Sequence, residues 1–196
     1  MPNINSIVGL INTALVSNQF ASRRYQSGKW YGIADLLKNN AEDKETTTPV
    51  IIDDAGEGTD VIFDDTSSMV VYHRVMSLNY EIADPNDYGK PGTTMRETAE
   101  MKMIFFADRM KLKDRVENFI AAAINDFPKE FLSSVVSAFG NNKTIIELGS
   151  VNTDIYTIWS GEFQNVDFNL ASSICAFELT YKVINEFNKN CFTLCP

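Results

Sequence analysis

With 196 residues, 44% of them hydrophobic and 22% charged, the chain can bury one sizeable core and lacks the composition of a disordered segment. Its 17 Lys and Arg against 26 Asp and Glu leave a formal charge of −9, which excludes a protein that grips phosphates over a broad basic surface. No run approaches the roughly 20 apolar residues of a membrane span, and the N-terminus lacks the basic-then-apolar pattern of a secretory leader. The expectation is a chain made in a reducing cytosol, with Cys175, Cys191 and Cys195 as free thiols.

Ile4, Ile7, Val8, Ile11 and Leu15 fall at helical spacing, so Asn5–Asn18 is predicted as an amphipathic helix. Its polar face carries Asn, Thr and Ser without a cation, which favours packing on a sheet over lying on anionic lipid. Arg23, Arg24, Tyr25, Lys29, Trp30 and Tyr31 form the one concentrated cluster of cations and aromatics. Such residues dominate protein–protein interfaces, and the same set also suits a strand pinned on the core by Trp30. Stacking on nucleobases is the third reading, disfavoured by the acidic balance. Lys38 to Thr48 is polar, without periodicity, and is predicted as an exposed loop.

Asp53, Asp54, Glu57, Asp60, Asp64 and Asp65 crowd the next stretch. A divalent cation would welcome so many oxygens, but their spacing does not fit the EF-hand template. Val50-Ile51-Ile52 and Val61-Ile62-Phe63 around a Gly56–Gly58 turn predict an acidic hairpin instead. Met69–Tyr80 is apolar on both faces, with Val70, Tyr72, Met76 and Leu78 on one and Met69, Val71, His73 and Val75 on the other. It is therefore predicted as a central strand. His73 has no local nucleophile signature near it and is expected to be packed or hydrogen-bonded. Ala83–Met95, with Asp84, Pro85, Tyr88, Gly89, Pro91 and Gly92, is a long loop between strong strands and a candidate contact to a neighbouring subunit.

Ala99, Met101, Met103 and Phe105 alternate with polar residues as a half-buried strand. After Asp108–Lys113 the period changes, and Leu112 to Phe127 carries a helical apolar stripe. Phe127-Pro128 opens another helix striped by Phe131, Leu132, Val135, Val136 and Phe139. Thr144–Leu148 and Ile155–Trp159 are predicted as paired strands. Ser173–Ile184 is a last strand with Cys175, Phe177, Leu179, Tyr181 and Val183 on one face. The fold class is α+β: a single mixed, mainly antiparallel sheet with amphipathic helices packed on one face. One domain is expected over 1–196, with an N-terminal helix and extension (1–48), a core (49–184) and a tail (185–196).

This order of elements resembles the neck and tail-terminator proteins of tailed phages, small α+β subunits that form rings between head and tail. The resemblance is carried by Met101–Arg109 leading into Val116–Ile120, by the pair near Ile155–Trp159, and by the closing strand Ser173–Val183. The acidic hairpin and long N-terminal segment look similar to the neck-ring subunits of podovirus-like gut phages, including the crAss-like group. It implies a virion structural protein, made in the host cytoplasm and assembled as a homo-oligomeric ring, often of six or twelve copies. The ring would contact portal, neck or tail proteins and pass DNA without specific binding. It implies no catalytic residue, cofactor or metal. The interface candidates are Arg23, Arg24, Tyr25, Trp30 and Tyr31 in the cationic-aromatic cluster, and Asp84, Pro85, Tyr88 and Pro91 in the long loop. The alternatives are a metal-dependent hydrolase using the 53–65 carboxylates and a soluble protein-binding module.

Overall fold

The computed structural model describes residues 4–17, 28–41, 44–52, 57–61, 67–84, 86, 93–111, 126–139, 144–167, 170 and 172–188. Seven strands form one mixed sheet: β1 (Gly28–Ala41), β2 (Lys44–Ile52), β3 (Gly58–Asp60), β4 (Met69–Ile82), β5 (Thr94–Asp108), β6 (Thr144–Asn152) and β7 (Ile174–Asn188). The helices among the described residues are α1 (Ile4–Ser17), α2 (Phe127–Phe139) and α3 (Ile155–Glu162). Strand order is β3-β2-β1-β4-β5-β7-β6, and only the β1–β4 pair is parallel. The class is α+β, as expected.

The apolar alternation of β5 and β7 dictates the main core. Met101, Met103, Phe105 and Ala107 face the same side as Cys175, Phe177, Leu179, Tyr181 and Val183, because Phe105 stands opposite Phe177 in the ladder. The two phenyl rings stack 4.1 Å apart, and Phe127 closes over them at 4.7 and 5.0 Å. Phe127, Phe131, Val135 and Phe139 recur at every fourth residue of α2, and Ile7, Val8, Ile11 and Leu15 line α1. Both helices therefore lie on this first face. Pro128 sits in the first turn of α2, where its missing N–H leaves no intrahelical bond unmade.

Val70, Tyr72, Ile104, Phe106, Ala176 and Ile174 point to the opposite face and form a second core with Ala34, Val61 and Ile158. That core has its own cover, α3. The Ile155–Trp159 segment, predicted as a strand, is this helix. Its residue types favour β structure, but Asp154 caps it, accepting from the Tyr156 N–H at 3.0 Å and from the Thr157 hydroxyl at 2.7 Å. The Thr157 bond is the main cause holding the Asp154 carboxyl below its ordinary range. The strand pair expected there is replaced by β6 on β7.

Further expectations change. The polar stretch 38–48 is a hairpin, not a loop: β1 and β2 stay paired from Ala34↔Ile51 to Ala41↔Lys44. Its strands hold through backbone bonds and β-branched Thr46–Thr48 rather than an apolar stripe, so no period announces them. The acidic hairpin forms, but its second strand is Gly58–Asp60, ahead of the Val61–Phe63 run expected to supply it; Asp53, Asp54, Ile62, Phe63, Asp64 and Asp65 lie outside the described residues. In β4 a bulge intervenes: Val75 faces Met101, yet Ser77 faces Glu100. The extra residue moves Leu78 and Tyr80 to the face of Val71 and Val75, where plain alternation had put Leu78 with Val70 and Tyr72. The predicted helix over 112–126 lies outside the described residues except for its last position.

Replacing Phe105 by Ala removes the ring that stacks on Phe177 and meets Phe127 and Trp30 edge-on, and should cost about 3–5 kcal/mol. Urea denaturation measures it; a loss below about 1 kcal/mol would place the centre of the core elsewhere.

Candidate functional site

β1 accompanies β4 only as far as Ile33↔His73. Beyond that pair β1 bends away with β2, and among the described residues nothing pairs with the outer edge of β4 from Arg74 to Ile82. Among the described residues the far half is thus a four-stranded antiparallel sheet, β4-β5-β7-β6, with no strand on either side. Met76, Leu78 and Tyr80 stand 55, 42 and 54% exposed along the β4 edge, and Ile145 is exposed on β6. Long edges with apolar side chains and no proline or lysine are templates for another strand.

One face of this half is a lattice of cross-strand ion pairs. Arg96 sits opposite both Glu81 and Glu186 in the ladders and contacts them at 3.2 and 2.8 Å. Lys182 sits opposite Glu100 at 3.3 Å. These exposed pairs set register more than stability, since such pairs contribute about 0–1 kcal/mol each.

Where the lattice passes beneath α3 it becomes buried. Arg74 and Lys102 stand directly opposite one another, an arrangement of like charges that a ladder tolerates only with a counter-ion between them. Glu162, the last residue of α3 and fully buried, supplies it. Arg74 Nη1 donates to both its oxygens at 3.0 and 3.2 Å, the Lys102 ammonium pairs with Oε1, and the Tyr72 hydroxyl donates to Oε2 at 3.2 Å. Lys102 also reaches Glu178 at 3.1 Å. Burial, then the Glu162 charge, pushes the Tyr72 phenol well above its ordinary range, so it remains a donor. Two cations meet two carboxylates, and the network pins α3 to the sheet.

On the other face His73 is fully buried in a polar chain. Asn12 donates its Nδ2 to the Tyr31 carbonyl at 2.8 Å, which turns its oxygen toward His73 Nε2, 2.9 Å away. Nε2 must therefore carry the proton, leaving Nδ1 to accept from the Tyr181 hydroxyl at 2.7 Å. Burial pushes the imidazole down to about 3. His73 joins α1 to the sheet as a neutral hydrogen-bonding residue, as expected from its strand setting. Cys175 is equally withdrawn: its thiol donates to the Ala107 carbonyl at 3.3 Å, and burial pushes it up to about 12.

Of the predicted interface residues Trp30, Tyr31 and Asp84 are described, and they stand apart. Trp30 is half-buried on the first core, edge-on to Phe105 at 6.1 Å, whereas Tyr31 packs on the second. Asp84 is exposed and closes an Asx turn by accepting from the Asn86 N–H at 2.9 Å. Arg23, Arg24, Tyr25, Pro85, Tyr88, Pro91, Cys191 and Cys195 lie outside the described residues. Among the described residues no group of three or more His, Cys, Asp or Glu is placed to hold a metal ion, and no helix is long and apolar enough to cross a membrane.

A cavity of about 300 Å³ opens between α3 and the β1–β2–β3 side of the sheet. Val61, Val70 and Phe106 form its buried floor, and Trp159 and Phe163, stacked 4.2 Å apart, form one wall. Asn39, Thr48 and Asp60 supply its polar rim. Compared with known protein families and curated proteins, the chain matches no family model and no curated relative.

The His73 geometry sets a pH dependence. The unfolded chain binds a proton on this histidine below about 6.5, and the folded chain does so only near 3. Stability contributed by the neutral imidazole is therefore complete above pH 6.5 and is lost as pH falls toward 3, by up to about 1.4 kcal/mol per pH unit. Unfolding free energies of the wild type and His73→Gln between pH 6.5 and 5 should show the steeper loss in the wild type; parallel slopes would contradict a buried neutral His73. Glu162→Gln, by leaving Arg74 without its carboxylate and Lys102 with Glu178 alone, should cost about 3–5 kcal/mol by denaturant titration. A near-neutral result would mean the network does not hold α3.

Proposed function

We propose that this chain is a structural subunit that assembles with copies of itself into a ring in the neck or tail of a tailed phage. It is a virion component without an enzymatic role. The observation that carries the reading is the edge of β4 from Arg74 to Ile82, unpaired among the described residues, with Met76, Leu78 and Tyr80 exposed along it. An edge of this kind binds a strand through its free backbone groups.

Strand directions support a head-to-tail partner. β4 and β7 run one way and β5 and β6 the other, so a second copy in the same orientation lays its β6 antiparallel on β4. A repeated heterologous contact of that type closes into a ring when the rotation per subunit permits. The formal charge of −9 suits a channel through which DNA slides without phosphate contacts that would hold it. Portal, neck or tail proteins are the further partners of such a ring. The resemblance to neck and tail-terminator subunits is carried by β5 and β7, since the Ile155–Trp159 segment is α3 rather than a strand pair. The alternative of a metal-dependent hydrolase depends on Asp53, Asp54, Asp64 and Asp65, for which there is no described geometry.

Leu78→Lys with Tyr80→Lys places two cations on the β4 edge, where both native side chains already face solvent. The variant should keep the wild-type circular dichroism and melting transition and fail to enter the high-mass complexes formed by the wild type, read by sedimentation velocity. Removal of residues 85–91 tests the loop in the same way. Ala83 already bonds to the Thr94 carbonyl at 2.9 Å, so a shorter turn should leave both strands intact. Normal assembly of the charged variant would refute strand addition at β4, and normal assembly of the deletion would remove the loop from the contact.

A further inference from the structure

The cavity under α3 has features that the assembly reading does not use. Its floor residues Val61, Val70 and Phe106 are buried apolar groups, and its volume of about 300 Å³ lies at the lower end of small-ligand sites. Trp159 and Phe163 stack against one another and both meet Phe106 edge-on, at 6.2 and 6.0 Å. The Trp159 indole N–H is already donated to the Val166 carbonyl at 3.3 Å, so the ring offers an incoming group its π surface and no free donor. At the rim stands Asp60, exposed, with no cation within ion-pairing distance among the described residues.

An apolar floor, an electron-rich aromatic wall and an unneutralised carboxylate at the mouth call for one chemistry. We propose that this cavity binds a small organic cation with a flat aromatic body, an arylalkylamine in class. The body fills the floor against Phe106 and Trp159, and the ammonium sits between the ring faces and Asp60. The aromatic wall stabilises the cation through its quadrupole, and the exposed carboxylate adds a solvent-screened ion pair. A ligand of the same body with a carboxylate tail is repelled by Asp60 and by the acidic chain as a whole.

Isothermal titration of the full chain with tryptamine, indole and indole-3-acetate separates the terms. Tryptamine should bind about fivefold or more tightly than indole, from an ion pair and a cation–π contact of order 1 kcal/mol together, and indole-3-acetate more weakly than either. Asp60→Asn, at an exposed site on a three-residue edge strand, should fold normally and bring tryptamine down to the affinity of indole. Equal affinity for tryptamine and indole, tryptamine binding unaffected by Asp60→Asn, or no binding of either would overturn the assignment.

Discussion

A 15-residue strand that is hydrogen-bonded along both sides has to find cover for whichever of its faces is apolar, and β5 imposes that requirement on the rest of the molecule. Its C-terminal half, Ile104 to Ala107, is apolar on both faces, so one side is closed by α1 and α2 and the other by α3. Its N-terminal half is apolar on one face alone, and there the second face is left to ion pairs in solvent. The two ends of a single strand thus divide the protein into a doubly covered body and a half-covered sheet. The open β4 edge belongs to the second part.

The join between those parts is electrostatic. Arg74 and Lys102 lie at the level where the apolar second core stops, and Glu162 closes α3 over them. Taking these charges out of water is costly, and the network recovers that cost only because every member is paired. Its position suggests a role in specificity: a helix that must bring one carboxylate to two cations has one seat on the sheet, whereas a purely apolar α3 could slide. The same seating holds Trp159 and Phe163 in place over Phe106, so the cavity beside them is fixed by the ion network.

What was legible in the sequence followed apolar periodicity. α1, β5 and β7 turn the residues their spacing marks to the core, α2 does so with Phe131, Val135 and Phe139 while Leu132 of its predicted stripe is exposed, and the alternation Cys175, Phe177, Leu179, Tyr181, Val183 is the inward row of β7. The β1–β2 hairpin was illegible because it holds by backbone bonding between polar strands, and the bulge at Met76 because one inserted residue leaves no compositional trace. α3 had a signal: Ile155, Ile158, Trp159 and Glu162 share a helical face behind the Asp154 cap. Its β-favouring residue types hid it. The buried network had a fainter one. Arg74 interrupts the apolar run of β4, and Lys102 stands in the polar row of β5 next to Ile104 and Phe106; a buried cation there needs a carboxylate from elsewhere in the fold. Which carboxylate depends on residues 88 and 60 positions away along the chain, a pairing that composition and local spacing do not encode.

The assembly reading depends on what occupies the edge of β4. Cryo-electron microscopy of the complexes recovered on a tagged full-length chain addresses it directly. A closed ring of equivalent subunits, with the Arg74–Ile82 edge continued by a strand of the next copy, is the expected result. Density in which that edge faces solvent, or in which the chain sits as a single copy outside any rotational symmetry, would contradict it.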